Sequence, residues 1–242
     1  MATCLVVFFS SVVTPSQAQI GVNLGYTGLT ARKWENIMNL KNFEFDSPFG
    51  PGLHVGVDYA YKLKDIRIEV VPELNMQFYK ETQEIPDEFV KLDLAMTYAG
   101  LDINGHFYLL DLYGECDCPT FSKKGPWLNK GLFIIATLGG GMYLKKATNT
   151  LTDVDGIDST AHIDDNSFAM RIGLGLGMDI GVSKTFTVTP MIKFQFSPAV
   201  RWDGFADVGP VRQNLDLTDQ EKSGILRFTA GVRFGFHPPK KY

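Results

Sequence analysis

Cys116-Asp117-Cys118-Pro119 is the one chemically unusual run in the chain. In an oxidising compartment, thiols so spaced could close a small disulfide between Cys116 and Cys118, link to a partner or exchange with other thiols. A zinc site wants four ligands, and no second Cys or His pair stands nearby in sequence. His162, Asp164 and Asp165 follow Asp153, Asp155 and Asp158, a run rich in oxygen ligands. However, TDVDGIDST lacks the ligand spacing of a calcium loop and reads as a solvated acidic segment. Gly139-Gly140-Gly141 and Gly173-x-Gly175-x-Gly177 sit inside strand-like runs, where they cannot open a phosphate-binding helix. The four histidines, at 54, 106, 162 and 237, are scattered, and no Ser or Cys nucleophile has a motif that supplies its base. No catalytic residue, metal ligand or cofactor is therefore assigned, and the expectation is a protein that is not an enzyme.

A second set of chemical residues is larger and more ordered. Asp58, Arg67, Glu69, Glu73, Asp93, Asp102, Arg171, Asp179, Lys193, Arg227 and Arg233 all fall on the polar side of alternating segments. From Phe168 to Val182 every even residue is apolar, and the odd ones between are Ala169, Arg171, Gly173, Gly175, Gly177, Asp179 and Gly181. Period two over such a length excludes an amphipathic helix and specifies a strand with two unlike faces. The same alternation runs through 53–61, 66–78 and 226–236, and less regularly through 19–27, 91–112, 131–146 and 185–197, which makes eight strands. In 91–112 the apolar parity slips at Ala99-Gly100, from Leu92, Leu94, Met96 and Tyr98 to Leu101, Ile103, Phe107 and Leu109. A β-bulge there would explain the slip, and it keeps the strand count even; a hairpin at Asn104-Gly105 would not.

The composition narrows the setting. Of 242 residues 45% are hydrophobic and 21% charged, so the chain can bury a core. A net charge of −4 lacks the basic footprint of a nucleic-acid binder. No apolar run is long enough for a transmembrane helix. Residues 1–18 read as a secretory signal peptide, with apolar Leu5–Phe9 and small residues at Ser16 and Ala18, leaving 19–242 as one barrel domain.

Eight strands of this kind close either a soluble lipocalin-like barrel, apolar side inward, or a transmembrane barrel, apolar side outward. The polar face decides between them. Glycines among its charges gain nothing on a solvated surface, but they make room inside a narrow lumen for large side chains opposite. Aromatics at strand ends (Tyr59, Tyr61, Phe78, Phe168, Phe186, Phe196, Phe234, Phe236) suit interfacial girdles. The expected fold is thus all-β, an eight-stranded antiparallel up-and-down transmembrane β-barrel whose lumen is filled by a network of the charges named above. Long connections are expected at 28–51, 80–90, 147–167 and 198–223 on one side, and short turns at 63–65 and 183–184 on the other. The exception is a long turn at 113–130.

Several stretches carry a resemblance: IGVNLGYTGL at 20–29, GPGLHVGVDYAYKLKDIRIEVVPELNMQFYK at 50–80, GLFIIATLGGGMYL at 131–144, the run 168–198, and LRFTAGVRFGF at 226–236. With Pro72-Glu73-Leu74 as the most characteristic piece, the chain resembles the PorT-like outer-membrane β-barrel proteins of the Bacteroidota. That resemblance implies an outer-membrane location in the cell envelope, contact with outer-membrane lipid and assembly by the barrel-insertion machinery. It also implies a link to protein secretion for some members. The expected function is a non-enzymatic anchor, scaffold or partner-binding barrel, with an envelope protein as partner and no nucleic acid. Trp202, Phe205, Phe121 and Trp127 are loop aromatics that could contact that partner. The competing readings are an outer-membrane enzyme acting on lipid or peptide, a soluble lipocalin-like carrier, and a pore.

Overall fold

A computed structural model describes residues 18–40, 49–63, 68–85, 90–109, 131–152, 158–183, 185–205 and 221–236. The strands are β1 (Ala18–Thr30), β2 (Gly52–Lys62), β3 (Ile68–Ile85), β4 (Val90–Tyr108), β5 (Leu132–Thr152), β6 (Asp158–Met178), β7 (Ile180–Gly181), β8 (Phe186–Arg201) and β9 (Lys222–Phe236). One helix, α1 (Arg32–Leu40), follows β1. β7 is a two-residue continuation of β6 past Asp179, and both pair with β8. All pairings are antiparallel between chain neighbours, and β1 closes the ring on β9. The result is an eight-stranded up-and-down barrel.

The apolar face points outward. Tyr26, Leu174 and Phe168 are 72%, 65% and 63% exposed, and Leu74, Met170, Ile172, Phe194 and Leu226 stand on the same outer surface. Such a continuous apolar band would be intolerable in water, and hydrocarbon is its natural solvent. This outward orientation excludes the soluble carrier. The glycines of β6 do what the lumen requires. A Cβ at Gly173 would lie 2.8 Å from Gln195 Cγ, and one at Gly177 would strike the Phe133 ring.

Two expectations about the strands are corrected. β4 holds one register with β3 and β5 from end to end, so there is no bulge at Ala99-Gly100 and no turn at Asn104-Gly105. Even positions face inward throughout β4, and it is the interior that changes: apolar around Leu92, Leu94, Met96 and Tyr98, polar around Asp102, Asn104 and His106. The irregularity lies in β8, where the register with β9 shifts between Ser197 and Val200. Finally, much of the connections expected at 80–90 and 147–167 is strand. β3 to β6 are 18, 19, 21 and 21 residues long, whereas about 10 suffice to cross a bilayer. These four strands stand as a wall beyond the membrane band.

Candidate functional site

The lumen is built from inward residues of all the long strands. Near the rim where β1 starts and β9 ends, Arg233 grips Asp58 with two parallel bonds, Nε to Oδ2 at 2.8 Å and Nη2 to Oδ1 at 2.7 Å. Asn23 donates to Asp58 at 2.8 Å and to Glu73 at 3.1 Å, joining that pair to the next acid. Glu73 also accepts from Lys193 at 2.9 Å, Asn104 at 2.9 Å and His54 Nε2 at 3.0 Å. With His54 Nε2 donating to the carboxylate, its Nδ1 accepts from Gln77 at 3.1 Å. Tyr79 donates to Gln77 and is bonded to Thr27, so the polar chain runs nearly the length of the lumen.

The opposite wall carries a second cluster. Arg171 donates Nε to Asp102 Oδ1 at 2.6 Å, pairs through Nη2 with Asp102 Oδ2, and reaches Asn75 at 2.8 Å. Gln195 completes the carboxylate at 3.1 Å. Arg171 and Asp102 are both fully buried. Isolated charges buried in this way would cost several kcal/mol each, so the acids and bases have to be mutually satisfied. The space left between Asn23, Asp58, Glu73, Asn104, His106, Lys193 and Arg233 is about 10 Å³, room for one water.

Of the network residues named from sequence, Asp58, Glu73, Asp102, Arg171, Lys193 and Arg233 meet as ion pairs. Glu69 is inward and lies by Tyr108 and Asp179, while Asp179 accepts from Tyr108 at 2.6 Å and Thr189 at 2.5 Å. Arg227 is inward without a carboxylate partner among the described residues. Its guanidinium lies over the rings of Tyr98 (5.1 Å) and Tyr143 (5.7 Å) and donates to Tyr143 Oη at 2.9 Å. Asp93 does not belong to the network. The uninterrupted register of β4 turns it outward, where Thr82 donates to it at 2.5 Å. Arg67, Cys116, Cys118, Phe121 and Trp127 lie outside the described residues.

Above the ionic lumen the interior becomes an aromatic cap. Trp34, Ile37 and Met38 of α1 are fully buried, at the i, i+3, i+4 spacing of one helix face. Trp34 packs edge-on against Trp202 at 5.4 Å and beside Phe205 at 5.8 Å. Trp202 stacks on Phe205 at 4.3 Å and on Phe49 at 6.1 Å. The indole of Trp34 donates to the Glu221 carbonyl at 2.8 Å, and Glu221 Oε1 accepts from the Gly204 amide at 2.8 Å. Trp202 and Phe205 are therefore interior residues of the cap and are not available as partner contacts. Neither α1 nor the cap was expected from the sequence, although the Trp34–Ile37–Met38 spacing was a readable signal. Together the ionic lumen and the cap close the barrel.

Solved structures similar to the chain are small outer-membrane barrels. A major outer membrane protein from Thermus thermophilus matches with a TM-score of 0.51 at 10% identity, covering 90% of this chain and 99% of that one. Neisserial surface protein A matches at 0.40, also with 10% identity, covering 91% and 97%. The attachment invasion locus protein Ail of Yersinia pestis gives 0.41 at 10% identity, covering 91% and 99%. No curated protein matches by sequence. The outward apolar band and the barrel topology make this an integral protein of the outer membrane. A family model for the autotransporter β-domain matches residues 45–241, most of the chain, and the chain belongs to that family.

Proposed function

We propose that this protein is a closed, non-enzymatic barrel that anchors or scaffolds a partner at the cell envelope. One observation carries this reading: the lumen is filled from end to end, by ion pairs below and by the aromatic cap above. A barrel so packed offers no path to a solute or an unfolded chain. The contact surface is then the wall raised by β3 to β6 beyond the membrane band, together with the connections at its rims. The family name and the resemblance to PorT-like proteins, whose Pro72-Glu73-Leu74 signature contributes the central Glu73, support a role beside protein secretion. In that role the barrel is a docking element and the translocated chain passes elsewhere.

Reconstitution in planar bilayers tests this directly. The protein is expected to give no stable conductance steps, and in-cell photocrosslinking from Thr148 and Thr150 on the wall is expected to capture a discrete envelope protein. Regular single-channel openings by the intact chain would overturn the closed-barrel reading.

A further inference from the structure

The register shift in β8 has a consequence for the outer surface. Up to Ser197 the strand alternates with its even residues outward, as Phe194 and Phe196 show. Past the shift Val200 pairs with Ser223, both buried, and Arg201 pairs with Lys222, both exposed. The extra residue re-aims the strand, a usual effect of a bulge. It turns Val200 and Trp202 into the cap and Arg201 outward. Two cations now stand directly opposite each other on neighbouring strands, an unfavourable arrangement in which Arg201 pairs with Asp203 and Lys222 has no acid partner among the described residues.

More positive charge gathers beside this pair. The backbone of Lys33 donates to Ser223 Oγ, which brings the exposed start of α1, Arg32 and Lys33, next to Lys222. Among the described residues, Glu35 accepts the amide of Ala31, Glu221 accepts that of Gly204, and Asp203 is the acid that pairs with Arg201 on the outside. Directly below, the cross-strand pair Phe196 and Leu226 ends the apolar band, about 13 Å down the strand. This rim lies opposite the one that carries the start of β1, the end of β9 and the tight turn at 182–186. Short turns mark the periplasmic side in such barrels, so the basic cluster faces the outer leaflet.

We propose that Arg201 and Lys222, with Arg32 beside them, bind a phosphate of the lipid that forms the outer leaflet. The site is continuous with the membrane band, at the height where phosphorylated headgroups lie, and juxtamembrane cations bind such groups.

The test uses the full chain, extracted and held in detergent, with native mass spectrometry and titration of bis-phosphorylated lipid A. The wild type should retain this lipid and bind the same lipid stripped of its phosphates about tenfold more weakly or worse. The double variant Arg201→Gln/Lys222→Gln should lose about tenfold in affinity while keeping its heat-modifiable gel mobility. Lys146→Gln, on the far wall beside Asp164, should stay within about twofold. Millimolar inorganic phosphate should not displace the lipid. Equal binding of the dephosphorylated lipid would overturn the proposal without recourse to any variant. So would an unchanged affinity in the folded double variant, or displacement by free phosphate, which would mark a soluble-anion site.

Discussion

The two halves of the barrel interior solve the same problem with opposite chemistry. Below, closure is ionic: Glu73 takes four donors, and Asp58 and Asp102 each hold an arginine. Above, closure is aromatic, with Trp34, Trp202, Phe205 and Phe49 packed over Leu92, Leu94 and Met96. Each kind of closure suits its own half. The ionic half bonds side chains from strand to strand across the lumen, so the network and the backbone ladder hold the same structure. The cap adds a helix of nine residues, too short to persist unpacked in water. It is held by burial and by a few bonds to β9 and the 202–205 turn. The lower half should unfold with the barrel, whereas the cap should open on its own.

The largest expected effect lies in the ionic half. Glu73→Leu strands Lys193, leaves His54 Nε2 without its acceptor and takes one of two acceptors from Asn23 and Asn104, so it should cost about 3–5 kcal/mol in urea unfolding of the protein in lipid vesicles. Trp34→Ala should cost about 3 kcal/mol, and the loss should appear as local opening: faster proteolysis at 32–40 and altered Trp202 fluorescence, with the unfolding midpoint of the strands scarcely moved. Gly177→Val, which drives a side chain into the Phe133 ring, should cost about 1–3 kcal/mol by the same urea assay.

Arg227 sharpens the comparison because it sits where the two chemistries meet. Its Nε and Nη1 are buried without a hydrogen-bond partner, and tyrosine rings take the place of a carboxylate. Arg227→Met should therefore cost no more than about 1 kcal/mol, while Arg171→Met, which abandons buried Asp102, should cost about 3–5 kcal/mol. Equal costs for the two arginines would mean that ion pairing does not organise the lumen. The smallest effect is expected at Asp93, where replacement by Ala should shift stability by less than about 0.5 kcal/mol, as for an exposed outward residue.

Much of this was legible in the period-two pattern. It located the strands, put the apolar face in lipid and brought six of the ionic partners into one lumen. It could not say which acid meets which base, since that depends on the register between strands distant in sequence, such as Asp102 with Arg171. β4 misled because alternation reports facing only while each side keeps one chemistry. Where the lumen passes from ionic to aromatic, Leu92 to Tyr98 look as though they had changed sides, and Asp93 is drawn inward with the error. The tall hairpins leave no period-two signal for a related reason. Above the membrane the outward residues of β5 and β6, such as Lys146, Thr148, His162 and Asp164, are polar, so no apolar stripe marks the strand. α1 is hard to read because four apolar residues in nine, within a polar segment, make a weak signal until something exists to bury them.

Hydrogen–deuterium exchange of the protein in lipid vesicles tests most directly whether the interior is two separable closures. Separate closure requires that 32–40 and 202–205 exchange together, well before 54–58, 73–77 and 171–177. Trp34→Ala should accelerate the first group alone, and Glu73→Leu the second. Exchange of the cap and the ionic lumen in a single step, with Trp34→Ala loosening both alike, would contradict it.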